Sequence, residues 1–246
     1  TFGRQVRESL AAQPGVESAI VWAPGMPSQA LWYRSFASSD RPISSMSEAL
    51  AGRYHQVSAG ALRALEIPIL QGRGIEETDH ADAQPVVVIS ESAAAALYGS
   101  DDPRGRSLYR FRDAESVSQE VHYRVVGVAA DTRHGGRVIA ELPPFDIYYA
   151  FEQVPSREVN LLVRTSLESS SLSVGVRRAV RAIDPQLPLY DIQTMDQRIG
   201  VEAEQSRFAA FLSGTFALLS ALLAGLGLYS VLAYFAQARR RAWRSA

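Results

Sequence analysis

Hydrophobic residues are distributed unevenly along the chain, and the longest apolar segment lies near the C-terminus. No charged residue occurs from Phe208 to Ala238. The centre of this run, Leu212 to Tyr234, would extend about 34 Å as an α-helix, enough to cross the roughly 30 Å hydrocarbon core of a bilayer. A buried helix of a soluble protein is the alternative, but such a helix rarely continues this far without a charge. The pattern therefore predicts a transmembrane helix at 208–236.

The preceding residues, 1–206, alternate short apolar strands with amphipathic helices, which predicts an α+β class with a mixed α/β outer domain. Helices are predicted at Val6–Leu10, Ser58–Ala64, Glu91–Tyr98 and Leu172–Ile183, and strands at Ser18–Trp22, Ile67–Leu70, Pro85–Ile89, Tyr123–Val128, Val159–Arg164 and Leu187–Ile192. The segment from Ala23 to Gly52, rich in Ser, Pro and Gly, is predicted to be a loop. Thr194 is predicted to cap a stalk helix, at about 194–207, that continues into the membrane.

Charges at the end of the apolar run predict how the helix is oriented. Four arginines follow it directly: Arg239, Arg240, Arg241 and Arg244. The positive-inside rule places this basic tail, 237–246, in the cytoplasm and residues 1–206 outside the membrane. Because no signal peptide precedes Thr1, export requires an upstream signal or an earlier membrane helix, and we expect the sequence to be a fragment.

One face of the predicted membrane helix carries a repeat of small residues. They recur every four positions: Ser213, Ala217, Ala221 and Gly225. Such a stripe allows another transmembrane helix to approach closely. Small residues are also common in any membrane helix, so both interpretations stay open.

Composition excludes several classes of function. All 25 basic residues are arginines, and the chain has no cysteine. Without lysine there is no Walker A loop and no Schiff-base chemistry, and without cysteine there is no thiol nucleophile or thiolate metal site. The formal net charge of −1 argues against a nucleic-acid partner.

No catalytic constellation stands out among the remaining polar residues. The four histidines include no pair at metal-ligand spacing: His55, His80, His122 and His134. Ser90 and Ser92 flank Glu91 where a strand is predicted to pass into a helix, but they form no Gly-x-Ser-x-Gly elbow.

An acidic cluster remains as a candidate cation site: Glu76, Glu77, Asp79 and Asp82. It lacks the alternating spacing and the glycine of a calcium loop, so a solvated loop is the preferred interpretation. The chain is therefore predicted not to be an enzyme, and to bind no cofactor or metal.

Several motifs together resemble a known family. Val57–Arg73 reads V-S-A-G-A-L-R-A-L-E-I-P-I-L-Q-G-R and is similar to the L-G-I-P-L-L-x-G-R signature of the MacB-like periplasmic core domain of FtsX-type ABC transporter permeases. The family's later landmarks follow in order: Asp79, Val86–Glu91, Asp102–Arg106, Tyr123–Arg133, Leu162–Thr165, Ile183–Pro188, Thr194–Met195, Arg207–Phe208 and Leu226–Tyr234. The subgroup it most resembles is the duplicated orphan permeases common in Acidobacteria.

The resemblance implies a permease segment of the bacterial cytoplasmic membrane. It implies an outer domain of two subdomains, further transmembrane helices, a separate ATPase subunit as a possible partner, and dimer-like pairing with a second permease unit. In such systems nucleotide-driven closure below the membrane moves the outer domain through stalk helices, for efflux or extraction of a substrate on the outer side.

One departure from the family concerns the basic tail. Gln237–Arg244 keeps the positive charge but lacks the Glu-Ile-Gly core that approaches the ATPase in the family. Either the chain is cut or frameshifted here, or coupling to an ATPase is impaired. Two other functions stay open: a membrane-anchored sensor or receptor ectodomain, and an anchored hydrolase, for which no nucleophile and base were found.

Overall fold

The structure is a computed structural model of the 246-residue chain. It describes residues 2–25, 32–41, 43–111, 120–132, 145–166, 169–197, 211–217, 220 and 223–224. The chain divides into two compact units, 1–190 and 191–246.

The first unit contains four α-helices and nine strands within the described residues. The helices are α1 (Phe2–Ala11), α2 (Ala61–Ala64), α3 (Glu91–Tyr98) and α4 (Ser169–Ile183). The strands are β1 (Val16–Ala23), β2 (Tyr33–Ser38), β3 (Leu50–Val57), β4 (Ile69–Gly72), β5 (Val86–Ser90), β6 (Ser107–Phe111), β7 (Glu120–Ala129), β8 (Asp146–Ala150) and β9 (Asn160–Thr165).

The strands pair in the order β2-β6-β7-β5-β8-β3-β1-β9, and β4 pairs with β7. Because β2 also pairs with β3, six strands close into a ring: β2, β6, β7, β5, β8 and β3. Closure leaves these six strands without a free edge in the ring. β1 extends the sheet from the end of β3, and β9 pairs antiparallel with β1.

The core forms on both surfaces of this ring because inward and outward side chains alternate along each strand. One cluster contains alternate residues of the ring strands, such as Val87 and Ile89 of β5, and is joined by Ala93 and Tyr98 of α3. A second cluster contains the intervening residues of β5 and β8 together with α2 and Trp22 of β1.

A third cluster joins the two ends of the unit. Val6 and Leu10 of α1 pack with Val176 and Val180 of α4, and all four side chains are buried. The amphipathic pattern predicted for both helices is therefore confirmed, with one face of each helix buried against the β1–β9 pair.

Several predicted elements are confirmed at or near their predicted bounds, and α3 matches at both ends. Its first turn is capped because Ser90 Oγ accepts the N–H of Ala93, and it ends at Gly99, whose φ is 66°. The predicted strands that correspond to β1, β4, β5, β7 and β9 begin and end within a few residues of the observed bounds.

Three local predictions are wrong. The segment 23–52, predicted as a loop, contains β2 and the beginning of β3, because its strands gain pairing partners far away in sequence. Residues 187–192, predicted as a strand, form none, and Asp191 has a φ of 60°. Gly60, and not Ser58, is the N-cap of α2; the Ser58 hydroxyl instead accepts the N–H of Val21 in β1 at 3.0 Å.

In the second unit, Thr194 caps a helix as predicted. Thr194 Oγ1 accepts the N–H of Gln197 at 3.2 Å, and Gln197 Oε1 accepts the N–H of Thr194 at 3.0 Å, which is a reciprocal capping box. Helix is described at 195–197, 211–217, 220 and 223–224. Within the described ranges, no helix combines the length and apolar character that a membrane span requires. Most of the predicted span 208–236 and of the stalk lies outside those ranges, and both stay predictions.

Candidate functional site

A buried polar network joins β3 and β8 on the outer surface of the strand ring. The two strands are parallel, and their register places Arg53 beside Asp146. Arg53 Nε donates to Asp146 Oδ1 at 2.8 Å and Nη2 donates to Oδ2 at 2.9 Å. Both residues are at most 2% exposed. The pair is a bidentate arginine–carboxylate contact, which fixes direction as well as distance.

Two further described side chains contact the Asp146 carboxylate. His55 Nε2 lies 3.0 Å from Oδ1, and Thr132 Oγ1 donates to Oδ2 at 2.8 Å. Since a carboxylate accepts only, the proton of this contact resides on His55 Nε2. The rings of His55, Trp22 and Tyr148 form a triangle: the His55 centroid is 4.9 Å from Trp22 and 5.2 Å from Tyr148, which are 6.0 Å from each other. Four donors on one carboxylate make this an anchor between strands.

Ser90 connects this network to α3. Its hydroxyl oxygen accepts the backbone N–H of Asp146 at 3.0 Å as well as that of Ala93 in the first turn of α3. The strand-to-helix junction seen in the sequence therefore serves to fix α3 against β8, since the Ser90 oxygen is occupied by two backbone donors.

The electrostatics of the network follow from burial and from the negative charge of Asp146. Burial acts to lower the pKa of Arg53, but the hydrogen bond and charge of Asp146 outweigh it, and the pKa is raised. Burial, followed by the nearby Asp146 charge, raises the pKa of Tyr148. The network therefore holds a permanent guanidinium charge and a neutral phenol.

A second cluster of polar contacts follows β4. Arg73 Nη1 and Nη2 donate to the two oxygens of Asp79 at 2.7 and 2.8 Å, and Nη1 also donates to the Gly74 carbonyl at 2.9 Å. Asp79 also accepts the N–H of Glu76 at 2.9 Å. The hydrogen bond to Asp79 raises the pKa of Arg73. This clamp folds the 73–79 loop back onto itself.

The clamp corrects one sequence prediction. Asp79, expected to lie in a solvated loop, is only 4% exposed, because it neutralises Arg73 and binds the loop backbone. Its neighbours Glu76, Glu77 and Asp82 are exposed, as predicted. Among the described residues no three His, Asp or Glu side chains converge on a possible metal position.

Two facing glycines allow the close approach of β4 and β7. Gly72 pairs with Gly127. A Cβ on Gly127 would lie 2.0 Å from the Arg73 carbonyl oxygen, and one on Gly72 would lie 2.3 Å from that of Val126. Gly72 also has a φ of 72°, which other residues rarely adopt. The G-R and V-V-G-V motifs are therefore explained by packing.

The Asp-Pro-Arg-Gly-Arg turn is held by exposed ion pairs. Arg104 donates to both oxygens of Asp102, with Nη2 to Oδ2 at 2.6 Å, and these hydrogen bonds hold the pKa of Asp102 at about 2. Arg106 pairs with Asp101 and, across the sheet, with Asp40. The turn thereby ties the start of β6 to the end of β2.

The residues predicted for helix packing and topology lie in the second unit. Ser213 and Ala217 are helical and exposed. Ala221, Gly225 and the four tail arginines, Arg239, Arg240, Arg241 and Arg244, lie outside the described residues. Sequence reasoning missed Arg53 and Asp146. The apolar and aromatic run Ile147–Ala150, which forms β8 together with Asp146, is the sequence signal that could have located this strand.

Comparison with known proteins places the fold. The family model of the MacB-like periplasmic core domain matches residues 3–183. No curated protein matches the chain. Among solved structures, the periplasmic region of MacB from Actinobacillus actinomycetemcomitans superposes with a TM-score of 0.53 at 13% identity, covering 81% of this chain and 83% of that one.

Two further structures share the fold. The extracellular domain of the noncanonic ABC-type transporter YknZ from Gram-positive bacteria gives a TM-score of 0.52 at 16% identity, over 78% of this chain and 89% of that one. A domain of a putative permease from Porphyromonas gingivalis gives 0.50 at 16% identity, over 79% and 87%.

Proposed function

The chain belongs to the family of MacB-like periplasmic core domains, and we propose that it works as the outer domain and adjoining membrane helix of an ABC transporter permease. Its role would be to transmit conformational change across the membrane for efflux or extraction of a substrate on the outer side. The observation that carries the proposal is the family match over residues 3–183. We therefore propose an extracytoplasmic location at the inner membrane, with the C-terminus of the chain in the cytoplasm.

The arrangement of the first unit supports a mechanical role. Its first and last helices, α1 and α4, pack against each other through buried apolar side chains. Two neighbouring ring strands, β3 and β8, are joined by the buried Arg53–Asp146 pair. A strand ring that is closed and cross-linked in this way moves as a body when the ends of the unit are displaced.

The second unit supports membrane insertion. Its large apolar side chains are exposed where they are described, with Phe211 and Leu223 both 70% exposed. The hydroxyls of Thr215 and Ser220 donate to the carbonyls of Leu212 and Phe216 at 2.7 and 2.8 Å. A helix in lipid requires this, because hydrocarbon offers no partner to a polar group.

A topology experiment tests the orientation. A reporter fused after Ala246, in a chain supplied with an upstream export signal, is expected to be cytoplasmic, because the tail carries Arg239, Arg240, Arg241 and Arg244. A green fluorescent protein fusion should fluoresce and an alkaline phosphatase fusion should be inactive. An active phosphatase would contradict the orientation.

The proposed partner is a separate ATPase subunit, together with other permease helices and a second permease unit. Helix contact is proposed through Ser213, Ala217, Ala221 and Gly225. The protein should co-purify with its ATPase from membranes and stimulate ATP hydrolysis. Co-purification with a kinase or another signalling module would instead favour a receptor.

A further inference from the structure

The outer surface of α4 carries three arginines close together. Arg177, Arg178 and Arg181 are all exposed. Among the described residues none of the three has an ion pair or a hydrogen bond. Seven other described arginines of the unit form ion pairs, for instance Arg7 with Glu77 and Arg164 with Glu66. This surface is therefore a local excess of positive charge in a unit that is acidic as a whole.

Apolar groups accompany this charge. Val174, one turn before Arg177 and Arg178, is 58% exposed, and after α4 Leu187 and Tyr190 are 39% and 74% exposed. Between Leu172 and Tyr190 the sequence has one carboxylate, Asp184, whose Oδ1 accepts the N–H of Gln186 at 2.9 Å. Arginine with exposed aliphatic and aromatic groups suits a bilayer interface, where charged heads meet phosphates and apolar bodies enter the headgroup layer.

The chain tethers this surface near the membrane. Tyr190 ends the first unit, and the apolar run begins at Phe208. The intervening segment of 17 residues would span about 26 Å as a continuous helix and at most about 60 Å if fully extended.

We infer that the face of α4 formed by Val174, Arg177, Arg178 and Arg181 binds the bilayer surface through the phosphate groups of anionic phospholipids. The inference rests on the proposed membrane anchorage. Planar guanidinium groups bind phosphate oxygens in pairs, and an anionic surface attracts each basic residue held close to it. The bound state orients the first unit relative to the membrane.

The absence of cysteine makes a direct test possible. In the whole chain, Val174→Cys would carry a single environment-sensitive fluorophore, and the protein would be placed in nanodiscs containing a headgroup-linked quencher lipid. Discs of phosphatidylcholine alone are compared with discs that include about 30% phosphatidylglycerol. We expect at least twofold stronger quenching in the anionic discs, lost at about 0.5 M salt because exposed charges are then screened.

Matched variants test the source of the effect. The triple variant R177Q/R178Q/R181Q should abolish the lipid dependence, whereas R41Q/R63Q/R124Q, which removes three exposed arginines elsewhere, should retain it. A fluorophore at Leu70→Cys, on exposed β4, should show no lipid dependence. Equal quenching in both discs, or equal effects of the two triple variants, would overturn the inference. So would a spectral shift of the label without quenching, which indicates a protein partner.

Sedimentation with vesicles of the same two compositions separates this inference from the anchorage. If alkaline carbonate releases the chain from the vesicles, the proposed membrane anchorage fails. The inference about the α4 surface would still be supported if the chain binds anionic vesicles at neutral pH and this binding weakens about fivefold for each arginine removed. If carbonate leaves the chain bound but the Val174→Cys label is unquenched, the anchorage stands and the inference falls.

Discussion

At the scale of single residues, the Asp146 carboxylate contacts three other side chains. Asp146 lies at the start of β8 and holds Arg53, His55 and Thr132 through one carboxylate. A buried ion pair of this kind adds little stability relative to apolar side chains that fill the same volume, but removal of one partner leaves an uncompensated charge. Asp146 therefore contributes to stability chiefly by compensating the buried positive charge of Arg53.

Asp146→Asn should reduce the free energy of unfolding by about 3–5 kcal/mol, because it leaves the Arg53 guanidinium buried without a counter-charge. The measurement is urea denaturation followed by circular dichroism. Glu66→Gln is the matched control: it removes the carboxylate of an exposed pair with Arg164 and should leave the midpoint unchanged. Similar losses in both variants would refute the distinction between buried and exposed pairs.

Alkaline pH should destabilise the first unit through buried tyrosines. Burial raises the pKa of Tyr98 to about 12, from 10 in the unfolded chain, so the folded state holds its proton longer. Its contribution is complete below pH 10 and is lost as pH rises from about 10 to 12. Tyr98→Phe should flatten the fall in urea midpoint over that range, whereas Tyr190→Phe, at a position 74% exposed, should not.

At the scale of elements, local signals decided which predictions succeeded. The bounds of α3 could be predicted because Ser90 and Gly99 are cap residues that act within one turn. β2 and β8 could not, because their stability comes from pairing with β6, β3 and β5, which are distant in sequence. The Arg53–Asp146 pair was hidden for the same reason: its partners are 93 positions apart.

Gly127→Ala should reduce the free energy of unfolding by more than about 3 kcal/mol or prevent folding, because its Cβ would lie 2.0 Å from the backbone oxygen of Arg73. Thermal and urea denaturation would measure the loss. Gly74→Ala is the control, since its nearest contact would be an ordinary 3.9 Å to Ile69. A native-like midpoint for Gly127→Ala would show that β4 and β7 do not approach this closely.

At the scale of the whole molecule, the packed core belongs to the first unit. In the part of the chain that the structure describes, the four clusters of buried apolar residues consist of residues before Tyr190. Family membership could be recognised from sequence because its motifs coincide with positions that packing restricts, such as Gly127 and Asp79. The membrane span and its orientation were also read from sequence, from hydropathy and charge alone, and they stay predictions.

A chain shortened to residues 1–190 should therefore fold by itself. We expect one cooperative unfolding transition, with the urea midpoint of the same unit in the whole chain, because few core contacts are lost. Circular dichroism and tyrosine fluorescence should report the same transition. Non-coincident transitions or binding of a hydrophobic dye would show that the unit needs the residues after 190.

The antiparallel β1–β9 pair has a mechanical consequence. Val16, where the chain enters β1, lies opposite Thr165, where it leaves β9. Once the α1–α4 contact is broken, tension on the two strands would therefore peel this pair apart one rung at a time from Val16–Thr165, and would not shear all rungs together. The closed ring carries no load until the peeling reaches the contact of Trp22 with Val57. The outer pair would yield first and protect the ring.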